Sequence, residues 1–190
     1  MPRELSQYDP VERFVAGTVG QPGERTFFLQ ARTGNRVTSV VLEKQQVSLL
    51  AERLEELLDE VLRRADAPVP IPAGPSGALD REPLESPIVE DFRVGGIGLG
   101  WNGEIERVVI ELHATVESDD MEVPDLDEDD VADDAPDCLR VRMTGAQARD
   151  FVARASSLVA AGRPPCPFCQ LPLDPSGHIC PRSNGFRRRV

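Results

Sequence analysis

Phe14-Val15-Ala16-Gly17-Thr18-Val19-Gly20 is answered later in the chain by Phe92-Arg93-Val94-Gly95-Gly96-Ile97-Gly98. Each stretch passes a Gly-Glu turn, Gly23-Glu24 or Gly103-Glu104, into an apolar strand, over 25–32 in one copy and 105–116 in the other. A third strand follows over 37–42 and 139–143, then an amphipathic helix over 43–64 and 144–161. In the helices Gln46, Arg53 and Leu57 align with Gln147, Arg154 and Leu158. Leu50, Leu54 and Leu58 align with Phe151, Ala155 and Val159, at the i, i+4, i+8 spacing of one helix face. Thr144 is an N-cap residue type, and Gly162 with Pro164 and Pro165 stops the second helix. Three strands feeding one amphipathic helix, twice over, predict an α+β fold. The duplicated βββα unit makes a mostly antiparallel six-stranded sheet with two helices on one face. The identities are few, so chance likeness is the alternative to duplication.

The α+β domain is expected over 12–162, with halves at 12–65 and 90–162. Between them 66–87 is rich in proline and glycine and reads as an extended linker. Net charge is −12, and the whole excess sits in 117–137, which holds twelve acidic residues and no basic one. Without that segment 21 acidic residues face 21 basic ones, so the rest of the chain is neutral. The segment has no pattern that could bury a face and is expected to be a disordered insertion. No run of eighteen apolar residues occurs, the N-terminus lacks a signal-peptide stretch, and cysteines are few. These features point to a cytoplasmic protein that does not enter the membrane.

The tail, 163–190, carries Cys166-Pro-Phe-Cys169 and then His178-Ile-Cys180. Two thiols separated by two residues can turn onto one ion, and two ligands spaced by one residue on an extended segment point the same way. Cys166, Cys169, His178 and Cys180 therefore make a tetrahedral ligand set for Zn2+, with a redox dithiol or a disulfide as the alternative. Four protein ligands leave no open position, so the zinc of this knuckle is structural. A tail so short and so poor in apolar residues needs such a staple.

Other motifs carry less. Gly98-Leu99-Gly100-Trp101-Asn102-Gly103 fits a dinucleotide loop in spelling, but a strand rather than a helix follows it. A kinase loop would need a later lysine and an Asp-Phe-Gly, and Lys44 is the only lysine. The reading is a glycine-rich hairpin. On the strand over 105–116, Val108, Ile110, Leu112 and Ala114 alternate inward, which turns Glu111 and His113 outward. Arg140 and Arg142 share that outer face, as do Gln30 and Arg32 of the first half. With both helices on the other side, Gln30, Arg32, His113, Arg140 and Arg142 form a candidate open face for a ligand or partner, a phosphorylated anion above all. Cys138 is disfavoured as a nucleophile because neighbouring carboxylates raise a thiol pKa. No catalytic residues and no organic cofactor are indicated. Arg187-Arg188-Arg189 beside the knuckle suggests nucleic acid, but aromatic interleaving is sparse and argues against it.

Cys166-Pro-Phe-Cys169, the run Gly177-His178-Ile-Cys180-Pro181-Arg182-Ser-Asn184-Gly185 and the opening Phe14–Gly20 stretch together resemble DUF3090, an actinobacterial family of conserved proteins of unknown function. The resemblance spans the chain and is most specific in the tail. It implies gene neighbours, one like a histidine phosphatase and one like a lipid kinase, and hence an accessory role in a phosphoryl-linked pathway. The leading expectation is a non-enzymatic zinc-binding accessory or regulatory protein that works by protein interaction, with a homodimer also compatible. Two readings compete with it: a ligand-binding or enzymatic domain using the open face for an anionic ligand, and nucleic-acid binding through the arginine-rich tail.

Overall fold

The alternating and helical periodicities of both copies become strands and helices near their expected bounds. The computed structural model describes residues 4–21, 23–65, 68–116, 126, 135–162, 166–169 and 180. In chain order its elements are β1 (Leu5–Tyr8), β2 (Arg13–Val19), β3 (Thr26–Thr33), β4 (Arg36–Leu42), α1 (Lys44–Arg64), β5 (Phe92–Asn102), β6 (Arg107–Ala114), β7 (Cys138–Met143) and α2 (Gly145–Ala160). The βββα order thus occurs twice. Among the described residues the sheet has seven strands, not the expected six, in the order β1-β7-β6-β5-β4-β3-β2.

The additional strand is β1, which pairs in parallel with β7 from Leu5↔Cys138 to Tyr8↔Val141. The folded domain therefore begins at Leu5 rather than at 12. Within each half the strands form an antiparallel meander, and the halves join through parallel pairing of β4 with β5. The repeat is consequently a translation along the sheet. β5 adds in parallel to the third strand of the first half, and β1 adds in the same way to the third strand of the second.

The meanders meet at only two residue pairs, Val40↔Phe92 and Val41↔Arg93. In a flat sheet β1 and β4 would stand about 19 Å apart, four strand spacings. Instead the Tyr8 hydroxyl lies 2.8 Å from Thr38 Oγ1, and Arg36 of β4 bonds the Gln7 carbonyl and covers the Tyr8 ring. The sheet curls about its narrow junction. The segment after β1 bridges the two wings, Val11 N–H donating to Arg142 O and Glu12 N–H to Arg32 O.

Both helices share one core with the inner face of the sheet. Val47, Leu50, Leu54 and Leu58 of α1 and Phe151, Val152 and Ala155 of α2 pack with Leu29, Val40, Ile110, Leu112, Leu139 and Val141. Each buried leucine contributes about 1.5–3 kcal/mol. Phe14 stacks on Phe151 with centroids 4.9 Å apart. The aligned Gln46 and Gln147 have one duty in two places. Each accepts from the N-cap N–H of its own helix, Glu43 or Thr144, and each donates its amide to the other half, to Val94 O or Val11 O. Arg149 of α2 reaches Asp59 of α1 at 2.6 Å.

The expected linker is irregular but not a free spacer. Arg13 of β2 holds Asp80 at 2.5 Å and donates to the carbonyls of Glu82 and Pro83. Arg154 of α2 donates to Asp80 and Glu82 and, on its other side, to Ala16 O. Leu84 is thereby set on the outer face of the first meander against Val15, Phe28 and Val41. Gly17 makes room for it, since a Cβ there would lie 2.5 Å from Leu84 Cγ. Most of the acidic insertion and of the tail lies outside the described residues, including His178 and Arg187 to Arg189.

Candidate metal centre

The turn 166–169 presents Cys166 and Cys169, and Cys180 returns to meet them. Their three sulfurs lie within 4.8 Å of one another, close enough to hold one metal ion. Cys166 and Cys180 are buried and their Sγ atoms are 3.8 Å apart, so they are free thiols and not a disulfide. Backbone N–H groups of Cys169 and Phe168 and the neighbouring thiols bring the Cys166 pKa down from its ordinary value, against the opposing effect of burial. A lowered pKa favours the thiolate, the form that ligates metals. Phe168, at the turn, is 61% exposed. The fourth expected ligand, His178, falls outside the described residues.

The candidate open face is corrected by burial. Gln30, His113 and Arg140 are 1%, 1% and 0% exposed, so they do not form a solvent-open platform. The five residues also divide into separate groups. Gln30 holds the linker backbone, accepting from Glu85 N–H at 2.7 Å and donating to Glu85 O and Ser39 Oγ. Arg32 points its Nε at Glu85, 3.4 Å away but out of hydrogen-bond alignment. Arg142 bonds Asp9 at 2.8 Å. Gln30 and Arg32 thus meet at Glu85, while His113 and Arg140 meet at Glu111.

His113 and Arg140 do so because the β6–β7 register places Glu111 opposite Arg140 and His113 opposite Cys138. Arg140 Nε donates to Glu111 Oε1 at 2.6 Å, which leaves Oε2 3.2 Å from His113 Nε2. That second contact is close but poorly aligned. Among the described residues neither ring nitrogen of His113 has an aligned hydrogen-bond partner. A buried polar group left so costs about 1–3 kcal/mol. Burial lowers the His113 pKa, yet the adjoining Cys138 thiol and Glu111 carboxylate outweigh it and raise the pKa to about 9. Glu111, His113 and Cys138 form a second group whose donor atoms lie within 4.8 Å of one another, all three residues buried.

Period-two alternation puts these residues on one face, and that much is legible in the sequence. Their pairing is not, because 117–137 intervenes and no short turn sets the register. The Arg13–Asp80–Arg154 clamp was also missed, since nothing local marks Asp80 within the linker. Its arginines draw the Asp80 pKa below the ordinary carboxylate value, chiefly through the Arg13 hydrogen bond. A groove of about 600 Å³ opens beside the clamp, between β2, α2 and the linker, but the Asp80 and Arg154 that line it are paired with each other. Gly98 to Gly103 forms a hairpin end as expected. The Asn102 side chain accepts from the N–H groups of Glu104 and Ile105 before β6 begins.

No described helix is long and apolar enough to cross a membrane. A sequence profile of the family described as "Protein of unknown function (DUF3090)" matches residues 6–180. The match covers nearly the whole chain, and the chain belongs to that family. No curated protein and no solved structure matches it.

Proposed function

We propose that this DUF3090 member is a non-enzymatic, zinc-binding accessory protein of the reducing cytoplasm, in which a structural zinc ion holds the C-terminal turn in shape for contact with a protein partner. The observation that carries this reading is the sulfur geometry. A tetrahedral ion at zinc–thiolate distance spaces two sulfurs by about 3.8 Å, and Cys166 and Cys180 stand at 3.8 Å. Cys169 is the third ligand, and His178 is assigned as the fourth from its spacing. The free thiols agree with a reducing compartment. Phe168, exposed on the turn, offers the kind of aromatic anchor that interfaces use. The family resemblance suggests candidate partners, a histidine-phosphatase-like and a lipid-kinase-like protein. The closed face argues against the competing reading of an anion platform over Gln30, Arg32, His113, Arg140 and Arg142.

Elemental analysis of the purified chain tests the ion, and co-purification with each candidate partner tests the contact. Cys169→Ser should lose the tail zinc, and Phe168→Ala should keep zinc while weakening partner capture. Full zinc retention in Cys169→Ser would overturn the metal assignment. Capture insensitive both to chelator and to Phe168→Ala would overturn the interface.

A further inference from the structure

We propose that Glu111, His113 and Cys138 form a second, buried binding site for a divalent transition-metal ion of the zinc class, on the outer face of the second meander and separate from the tail thiols.

Three independent features carry it. The donor set is one imidazole, one thiolate and one carboxylate, which together suit zinc and its neighbours rather than magnesium or calcium. Their donor atoms already lie within 4.8 Å, with Glu111 Oε2 and His113 Nε2 at 3.2 Å. A tetrahedral ion needs separations of about 3.2–3.8 Å, which the Glu111–His113 pair already meets. The imidazole is 1% exposed and neither ring nitrogen has an aligned partner among the described residues. An ion taken by one nitrogen would displace its proton and supply the well-directed contact that Glu111 Oε2, 3.2 Å away and out of alignment, does not.

The surroundings are built to match. Arg140 fixes Glu111 through Oε1, and Oε2 lies toward His113; this is how an outer partner orients a ligating carboxylate. On the neighbouring strand Gly96 faces His113 and Gly98 faces Glu111, so no β5 side chain fills the space beside the donors. A Cβ at Gly98 would lie 3.5 Å from the Glu111 Cβ and 2.9 Å from Leu126 Cδ1. Three protein donors leave one position of a tetrahedron for water or a small anion. The tail set is closed; this one is open.

The test is cobalt titration of the full chain, stripped of metal and kept reduced, read by thiolate-to-cobalt absorption and by elemental analysis. The wild type should take about two equivalents, and Cys138→Ser should lose one while the tail site stays filled. Cys166→Ser/Cys169→Ser should keep the other, with its thiolate absorption. His113→Gln repeats the first arm with a different side chain in case Cys138→Ser does not fold, and circular dichroism checks each variant. Failure of the tail assignment alone gives a distinct result: a wild-type uptake that Cys166→Ser/Cys169→Ser leaves intact and Cys138→Ser removes. Uptake unchanged in folded Cys138→Ser and His113→Gln overturns the second site. So does uptake abolished in a folded Cys166→Ser/Cys169→Ser chain.

Discussion

The outer faces of the two meanders are opposites built on one plan. On the first, Val15, Phe28 and Val41 are apolar and Leu84 of the linker covers them. On the second, Glu111, His113, Cys138 and Arg140 are polar or ionisable and equally buried. In both, an intervening segment sets a leucine over strand glycine, Leu84 on Gly17 and Leu126 on Gly98 and Gly100. The βββα scaffold therefore dictates that the outer face be covered but not what chemistry lies beneath. An apolar face is stabilised by being covered. A buried polar face is stable only while its charges stay paired.

Breaking one charge of the second face should have the largest effect. Arg140→Leu leaves Glu111 without its 2.6 Å partner, and urea unfolding should record a loss of about 3–5 kcal/mol. Adding Glu111→Leu should restore much of it, because the carboxylate that Arg140 held is then gone. A single variant as stable as wild type would erase the contrast between the faces. Leu84→Ala, on the apolar face, should cost about 2–4 kcal/mol, with no second substitution of charge able to rescue it.

Gly17→Ala refines the picture. Its Cβ would press on Leu84 Cγ at 2.5 Å, and overpacking of that kind costs about 1–3 kcal/mol. In a Leu84→Ala background the penalty should shrink, since the clashing atoms are absent. Additive losses would show that Leu84 does not sit where the fold places it.

The smallest effect concerns the clamp that delivers Leu84. Asp80 keeps 35% side-chain exposure, so solvent screening limits Asp80→Asn to roughly 1 kcal/mol. Its folded pKa is lowered below 3.8, so its stabilisation is present above the unfolded value and is lost as pH falls through the folded one. Acid unfolding should accordingly be less steep below about pH 4 in Asp80→Asn. An unchanged acid limb would mean the carboxylate is not held by Arg13.

Much of the fold was legible because its signals are local. Leu50, Leu54 and Leu58 announce a helix face, and Val108, Ile110 and Leu112 announce a strand with Glu111 and His113 on its back. The expected open face failed for a reason outside those signals. Sheet alternation says which residues point away from the helices, and it is silent on what else lies over them. β1 was missed because Leu5-Ser6-Gln7-Tyr8 is too short to show periodicity, and its partner β7 stands 133 residues away at Cys138.

By itself the sequence determined the elements other than β1, the inward set of the strand over 105–116, the alignment of Gln46 with Gln147, and the close spacing of the tail cysteines. Each of these follows from φ/ψ geometry and side-chain period over a few residues. Only the tertiary structure decided the translation of one meander beside the other, the curl that brings Tyr8 to Thr38, and the β6–β7 register that sets His113 against Cys138. Those depend on pairings across long loops, where chain entropy leaves many registers open and the packing of the whole core selects one.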